Sequence, residues 1–189
     1  MTELSTRDRI LKVAGNLFYQ EGIRKTGIKE ICEKAGVSKP TLYHHFKNKD
    51  ALISAYLEDL DGKTYGAMKR VFEKTPGTVF EKVSALFDLI GGSATIETWK
   101  GCPFMRGASE FPDDRSHPAQ EVSQDHKMRM EVWLAQCLAD ANLQAPRDIA
   151  RQLIILLDGA VMTVFLHRDP DYAKQSAKIA QLLRKNAEE

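Results

Sequence analysis

Between Thr26 and Lys49 the chain reads TGIKEICEKAGVSKPTLYHHFKNK, and its last third carries the residues whose types imply a chemistry. Leu42 and Phe46 stand at i and i+4, so a helix over Lys39 to about Phe46 buries that edge. It then turns Lys39, Thr41, Tyr43 and His44 outward, with His45 at the margin. Donors, a methyl group and an aromatic hydroxyl near the start of a short helix are what reading the major groove of duplex DNA requires. A helical hairpin with a merely solvated polar face would show the same period.

That face needs elements to position it. Gly36 falls where a helix end calls for a left-handed residue, Val37 is an apolar plug, and Ser38 is a helix N-cap. Pro40 lies in the first turn of the new helix, where its missing N–H has no intrahelical acceptor to lose. Thr26 is expected to cap the preceding helix, which turns Ile28, Ile31, Cys32 and Ala35 inward; its hydroxyl or the adjacent N–H groups could also meet a phosphate. An earlier helix is expected from a Thr6 cap to Glu21, with Ile10, Val13, Ala14, Leu17 and Phe18 at helical spacing and Gly22 as its stop. A fourth, over 48–73, starts at Asn48, carries Asp50 at its positive end and breaks at Thr75-Pro76-Gly77.

The 189 residues include 27 Lys and Arg against 26 Asp and Glu, but the charge is uneven. Residues 1–50 carry +4 and residues 51–189 carry −3, so the basic end coincides with the paired helices. Cys32, Cys102 and Cys137 form no C-x-x-C pair, and neither a disulfide framework nor a zinc site is indicated. The apolar run Leu153–Leu166 contains Asp158 and is too short to span a bilayer. The N-terminus MTELSTRDR lacks the apolar segment of a signal peptide, and the expected compartment is the cytoplasm.

Residues 6–60, with ILKVAGNLFYQEG, TGIKEI, AGVSKPTLYHHF and KNKDAL, resemble the N-terminal domain of the TetR family of bacterial transcriptional regulators. The resemblance implies an all-α fold of about nine helices. Residues 1–50 would form a three-helix helix-turn-helix DNA-binding domain and 51–189 a helical effector-binding and dimerisation domain. It implies that Lys39, Pro40, Thr41 and Tyr43 approach base edges, that Thr26, Tyr43, His44 and Lys49 hold phosphates, and that Ser38 belongs with them. It further implies a ligand-responsive repressor binding a palindromic operator as a homodimer, with no cofactor.

Five more helices are expected, over about 78–91, 102–110, 118–141, 146–167 and 171–187, with Gly91-Gly92-Ser93 a flexible end to the first. The fourth of them is apolar almost all round and must be covered on more than one side. Leu153, Leu157, Val161 and Val164 on it, with Ala173, Ala177, Ala180 and Leu183 on the last helix, suit either a monomer's core or a dimer interface; the resemblance implies the interface. The irregular stretch WKGCPFMRGASEFPDDRSHPAQ is the expected lining of an effector pocket. The resemblance implies such a pocket, with Trp99, Phe104, Met105 and Phe111 as apolar lining, Cys102, His117 and His126 as polar contacts, and Met130 and Trp133 one turn apart on the next helix. Such residues also make ordinary core.

Cys102, between Gly101 and Pro103 and near Lys100 and Arg106, allows the alternative of a thiol sensor of electrophiles or oxidants. A ligand-independent DNA-binding protein is a further alternative. Catalysis is not expected, because Cys102 with His117 or His126 has no orienting partner and matches no metal-ligand spacing.

Overall fold

In a computed structural model of the chain, residues 4–188 are described; Met1–Glu3 of the polar N-terminal stretch and Glu189 lie outside them. The elements are α1 (Thr6–Glu21), α2 (Ile28–Ala35), α3 (Lys39–His45), α4 (Lys49–Lys74), α5 (Val79–Gly92), a 3-10 turn (Ser93–Thr95), α6 (Pro103–Ser109), α7 (Pro118–Asp140), α8 (Pro146–His167) and α9 (Asp171–Glu188). The all-α architecture is that expected from the helical periods.

Two compact units emerge. One holds the chain up to Gly62 together with Pro103–Asp125, and the other holds Lys63–Cys102 with His126 onward. The chain order is therefore interleaved, because α6 and the start of α7 join the N-terminal helices. The division at residue 50 follows the sequence, whereas this grouping follows packing.

The first unit buries Ile10, Ala14, Leu17 and Phe18 of α1 against Ile31, Cys32 and Ala35 of α2, with Leu42, Phe46, Leu52, Ile53 and Leu57. Two cap expectations change. Ser5, not Thr6, caps α1, its hydroxyl accepting from the Asp8 N–H at 3.1 Å. Gly27, not Thr26, stands at the N-cap of α2 and offers no side chain. Thr26 is buried, and its hydroxyl donates to the Gly22 carbonyl at 2.7 Å, so it closes the corner after α1 instead of opening α2.

In the second unit, Phe72, Phe80, Val83, Leu86 and Phe87 pack with Leu134, Leu138, Leu153, Leu157 and Val164. A capping box starts α5, with Thr78 and Glu81 each holding the other's backbone N–H. Gly91 does not loosen its end. A Cβ there would lie 3.4 Å from that of Ala173, so the glycine allows α5 and α9 to approach closely. The apolar run is expected to be too short for a bilayer, whereas the whole of α8 is long and apolar enough by length and composition alone; here it packs on α5 and α9.

Gly36 ends α2 at φ 62°, with its N–H directed to the Glu33 carbonyl and the Val37 N–H to the Cys32 carbonyl at 3.0 Å. This pair of bonds is a Schellman motif. Nothing lies within 4 Å of a Cβ placed there, so the requirement for glycine is purely one of backbone conformation. Gly36→Ala should therefore lower unfolding stability by about 1–2 kcal/mol, measured by urea titration.

Candidate DNA interface

The reading helix is held from three directions. Ser38 accepts from the Thr41 N–H at 3.2 Å, and its hydroxyl lies 2.8 Å from that of Thr41. Leu42 is fully buried and Phe46 nearly so, anchoring the inner edge. Arg7 of α1 lies over the Phe46 ring at 5.1 Å, and Arg9 donates to the Ala35 carbonyl at 3.0 Å. The first helix therefore grips both the end of α2 and the end of α3.

What remains outward matches the expected face. Lys39, Pro40, Tyr43 and His44 are exposed, Tyr43 at 46%, while Thr41 and His45 are half-buried. The His44 and His45 rings meet edge-on at 5.2 Å. Asn48 caps α4 by accepting from the Ala51 N–H at 2.8 Å, so α4 leaves directly after the reading helix. The surface presents Lys39 and Thr41 in the first turn of a short helix and the Tyr43 hydroxyl and the His44 imidazole further along it, donors of the kind that meet base edges and phosphates.

Two residues assigned to phosphates are placed otherwise. The Thr26 hydroxyl is spent on Gly22, away from solvent. The Lys49 ammonium donates to the carbonyls of Ile23 at 2.6 Å and Arg24 at 3.4 Å, and burial pushes its pKa down against the opposing pull of Glu110 and Asp50. Sequence spacing could not show either, since both partners lie in the corner between α1 and α2.

The same corner reveals residues that no local pattern marks. Glu110 accepts from the Ile23 N–H at 2.9 Å and the Arg24 N–H at 2.7 Å. Arg106 donates to the Tyr19 carbonyl at 2.6 Å. These two with Phe18, Tyr19, Ile23, Tyr56, Pro103 and Gly107 line a small recess in the first unit.

The residues expected to line an effector pocket divide between the two units. In the first, Phe104 is buried, Met105 half-buried, and Phe111 stacks on His117 at 3.5 Å, with the Arg24 guanidinium 5.0 Å from the Phe111 ring centroid. His117 Nδ1 accepts from the Ala119 N–H at 3.1 Å, and Nε2 lies 3.7 Å from an Asp50 oxygen. In the second unit, Met130 and His126 are buried and Trp133 meets Tyr65 and Phe72 edge-on at 5.8 and 5.1 Å. Trp99 packs edge-on to Phe165, and Arg168 donates to its carbonyl at 2.8 Å. Cys102 is half-buried. The Cys137 thiol is pushed up in pKa, first by burial and then by Asp140.

Removing the Lys49 ammonium while keeping its stem should leave the Ile23 carbonyl short of a partner. Lys49→Met is expected to lower stability by about 1 kcal/mol, given the partial exposure of the site, as read from chemical denaturation.

Residues 10–56 match the family model described as bacterial regulatory proteins, tetR family. The chain is 31% identical over 83 residues to the HTH-type transcriptional repressor KstR2 of Mycolicibacterium smegmatis, covering 44% of this chain and 40% of that protein. It is 44% identical over 52 residues to the HTH-type transcriptional regulator UidR of Escherichia coli, covering 28% of this chain and 26% of the relative. The matches thus span less than half the length of these curated relatives. A solved TetR-family transcriptional regulator from Streptomyces coelicolor superposes with a TM-score of 0.85 at 28% identity, covering 97% of this chain and 96% of that one. Residues 10–56 thus carry the helix-turn-helix domain of the tetR family of bacterial regulatory proteins, and nearly the whole chain shares the fold of a solved TetR-family transcriptional regulator.

Proposed function

We propose that the chain is a transcriptional repressor of the cytoplasm that binds a near-palindromic duplex operator as a homodimer and is released by a small molecule. The observation that carries the DNA reading is the presentation of Lys39, Pro40, Tyr43 and His44 on a helix whose opposite edge, Leu42 and Phe46, is buried. Lys39, Pro40, Thr41 and Tyr43 approach base edges, and Tyr43 and His44 hold phosphates. Repression is supported by the name of the KstR2 relative, and the effector response by family membership.

The dimer reading needs a different face from the one expected. Leu153, Leu157, Val164, Ala173 and Ala180 are buried inside the second unit, and Val161, Ala177 and Leu183 are half-buried. Their helical period marks an inward face; the sequence shows two apolar faces on α8 and cannot say which turns in. Exposed instead are Ile155, Met162 and Leu166 on α8, at 65, 44 and 63%, with Ile179 and Leu182 on α9. Residues 155, 162 and 166, like 179 and 182, recur at spacings of three, four or seven, giving an apolar stripe on each helix. Apolar stripes on neighbouring helices suit a second copy. The dimer in turn supplies two reading helices for one operator.

Selection of duplex DNA from a random pool should recover a two-fold symmetric site whose affinity falls steeply with salt. Tyr43→Phe should weaken binding across sequences, whereas Thr41→Ala should shift base preference. Recovery of no duplex, or binding indifferent to salt, overturns the reading. Ile155→Asp should give a monomer by light scattering; a dimer that survives this change places the interface elsewhere.

A further inference from the structure

We propose that Glu110, more than sixty residues beyond the helix-turn-helix in sequence, is a positioning residue for DNA reading. The inference rests on the DNA-binding reading above. Its basis is a clamp on two consecutive peptide groups. The Glu110 carboxylate accepts the N–H groups of Ile23 and Arg24, at 2.9 and 2.7 Å, and the Lys49 ammonium takes the carbonyls of the same two residues, at 2.6 and 3.4 Å. Opposite charges thus hold the donors and acceptors of one short corner.

The surroundings are built to the clamp. Gly22 has φ 98°, and a Cβ there would stand 3.3 Å from a Glu110 oxygen. Gly107 of α6 lets Ile23 approach to within 3.3 Å of its own would-be Cβ, and Ile23 is buried. Arg106 fixes the Tyr19 carbonyl at the end of α1, and Arg24 lies over Phe111. Glu110 is itself held, because Gln120 donates to the Ala108 and Phe111 carbonyls on either side of it, at 2.9 and 2.8 Å.

From the clamp to the reading helix the chain runs through one corner, the eight residues of α2 and one turn. Thr26 ties to Gly22, Gly27 begins α2, and the Gly36 turn leads into α3. The angle at which α3 is presented therefore depends on the corner that Glu110 holds. No phosphate or base need touch Glu110, and its carboxylate would repel one.

The test uses the full-length protein and the operator recovered by selection. Glu110→Gln keeps the shape but has one acceptor oxygen for two N–H groups, so operator affinity should fall about tenfold. The slope of affinity against salt should stay unchanged, since no phosphate contact is lost, whereas Tyr43→Phe affects affinity at every sequence. Selection with the Glu110→Gln protein should return a broader consensus. Glu110→Asp, which keeps the charge but shortens the reach, should fall between. Combined with Lys49→Met, the loss should be smaller than the product of the single losses, because both side chains hold the same two peptides. Wild-type affinity in Glu110→Gln overturns the proposal, as does a loss that disappears at a temperature where the variant is fully folded. Failure of the unmodified protein to select any duplex overturns the underlying DNA reading instead.

Discussion

A helix of seven residues does not persist in water on its own, since isolated helices need roughly twelve to fifteen residues even to be marginal. Everything around α3 answers that constraint. Ser38 satisfies an N-terminal donor, Leu42 and Phe46 anchor the inner edge, and the first-helix arginines fasten the neighbouring ends. The helix can be short because its stability comes from the unit, and Lys39 and Pro40 in its first turn stay exposed.

The same logic explains why α6 belongs with the N-terminal helices. Three helices of sixteen, eight and seven residues enclose little core. The unit is completed by the first part of α4 and by Pro103–Asp125, whose Phe104 and Ala119 are buried in it. Because that segment is remote in sequence, α3 is tied to a part of the chain that carries none of the residues on its outward face. Polar side chains make that tie directional, since Glu110, Lys49 and Arg106 each meet named backbone groups.

The second unit solves a different problem. Its α8 is apolar on two faces, one filled by α5 and α9 and the other open along Ile155, Met162 and Leu166. Charged residues punctuate it: Asp158 pairs with Lys127, and Arg151 with Glu131 at 2.9 Å, both on α7. These pairs join α7 to α8 without covering the apolar stripe.

Much of this was legible along the chain. The helix boundaries followed from apolar period and from Pro and Gly punctuation, and the turn from Gly36 to Ser38 could be read residue by residue because its chemistry is local. Leu42 and Phe46 could be placed inward on the same ground. Local reading failed where two partners compete for one group. Thr26 had the composition of an N-cap, yet its hydroxyl turned back to Gly22; Lys49 had the composition of a phosphate ligand, yet two carbonyls of a distant corner took its ammonium. Nor could period alone choose which apolar face of α8 turns inward. The sequence by itself determined the helices, the turn and the outward chemistry of α3, since each depends on neighbours within about one or two helical turns. Only the tertiary structure decided that Glu110 holds the corner behind the reading helix and that the inner face of α8 is spent on its own core, because both depend on groups brought together from far along the chain.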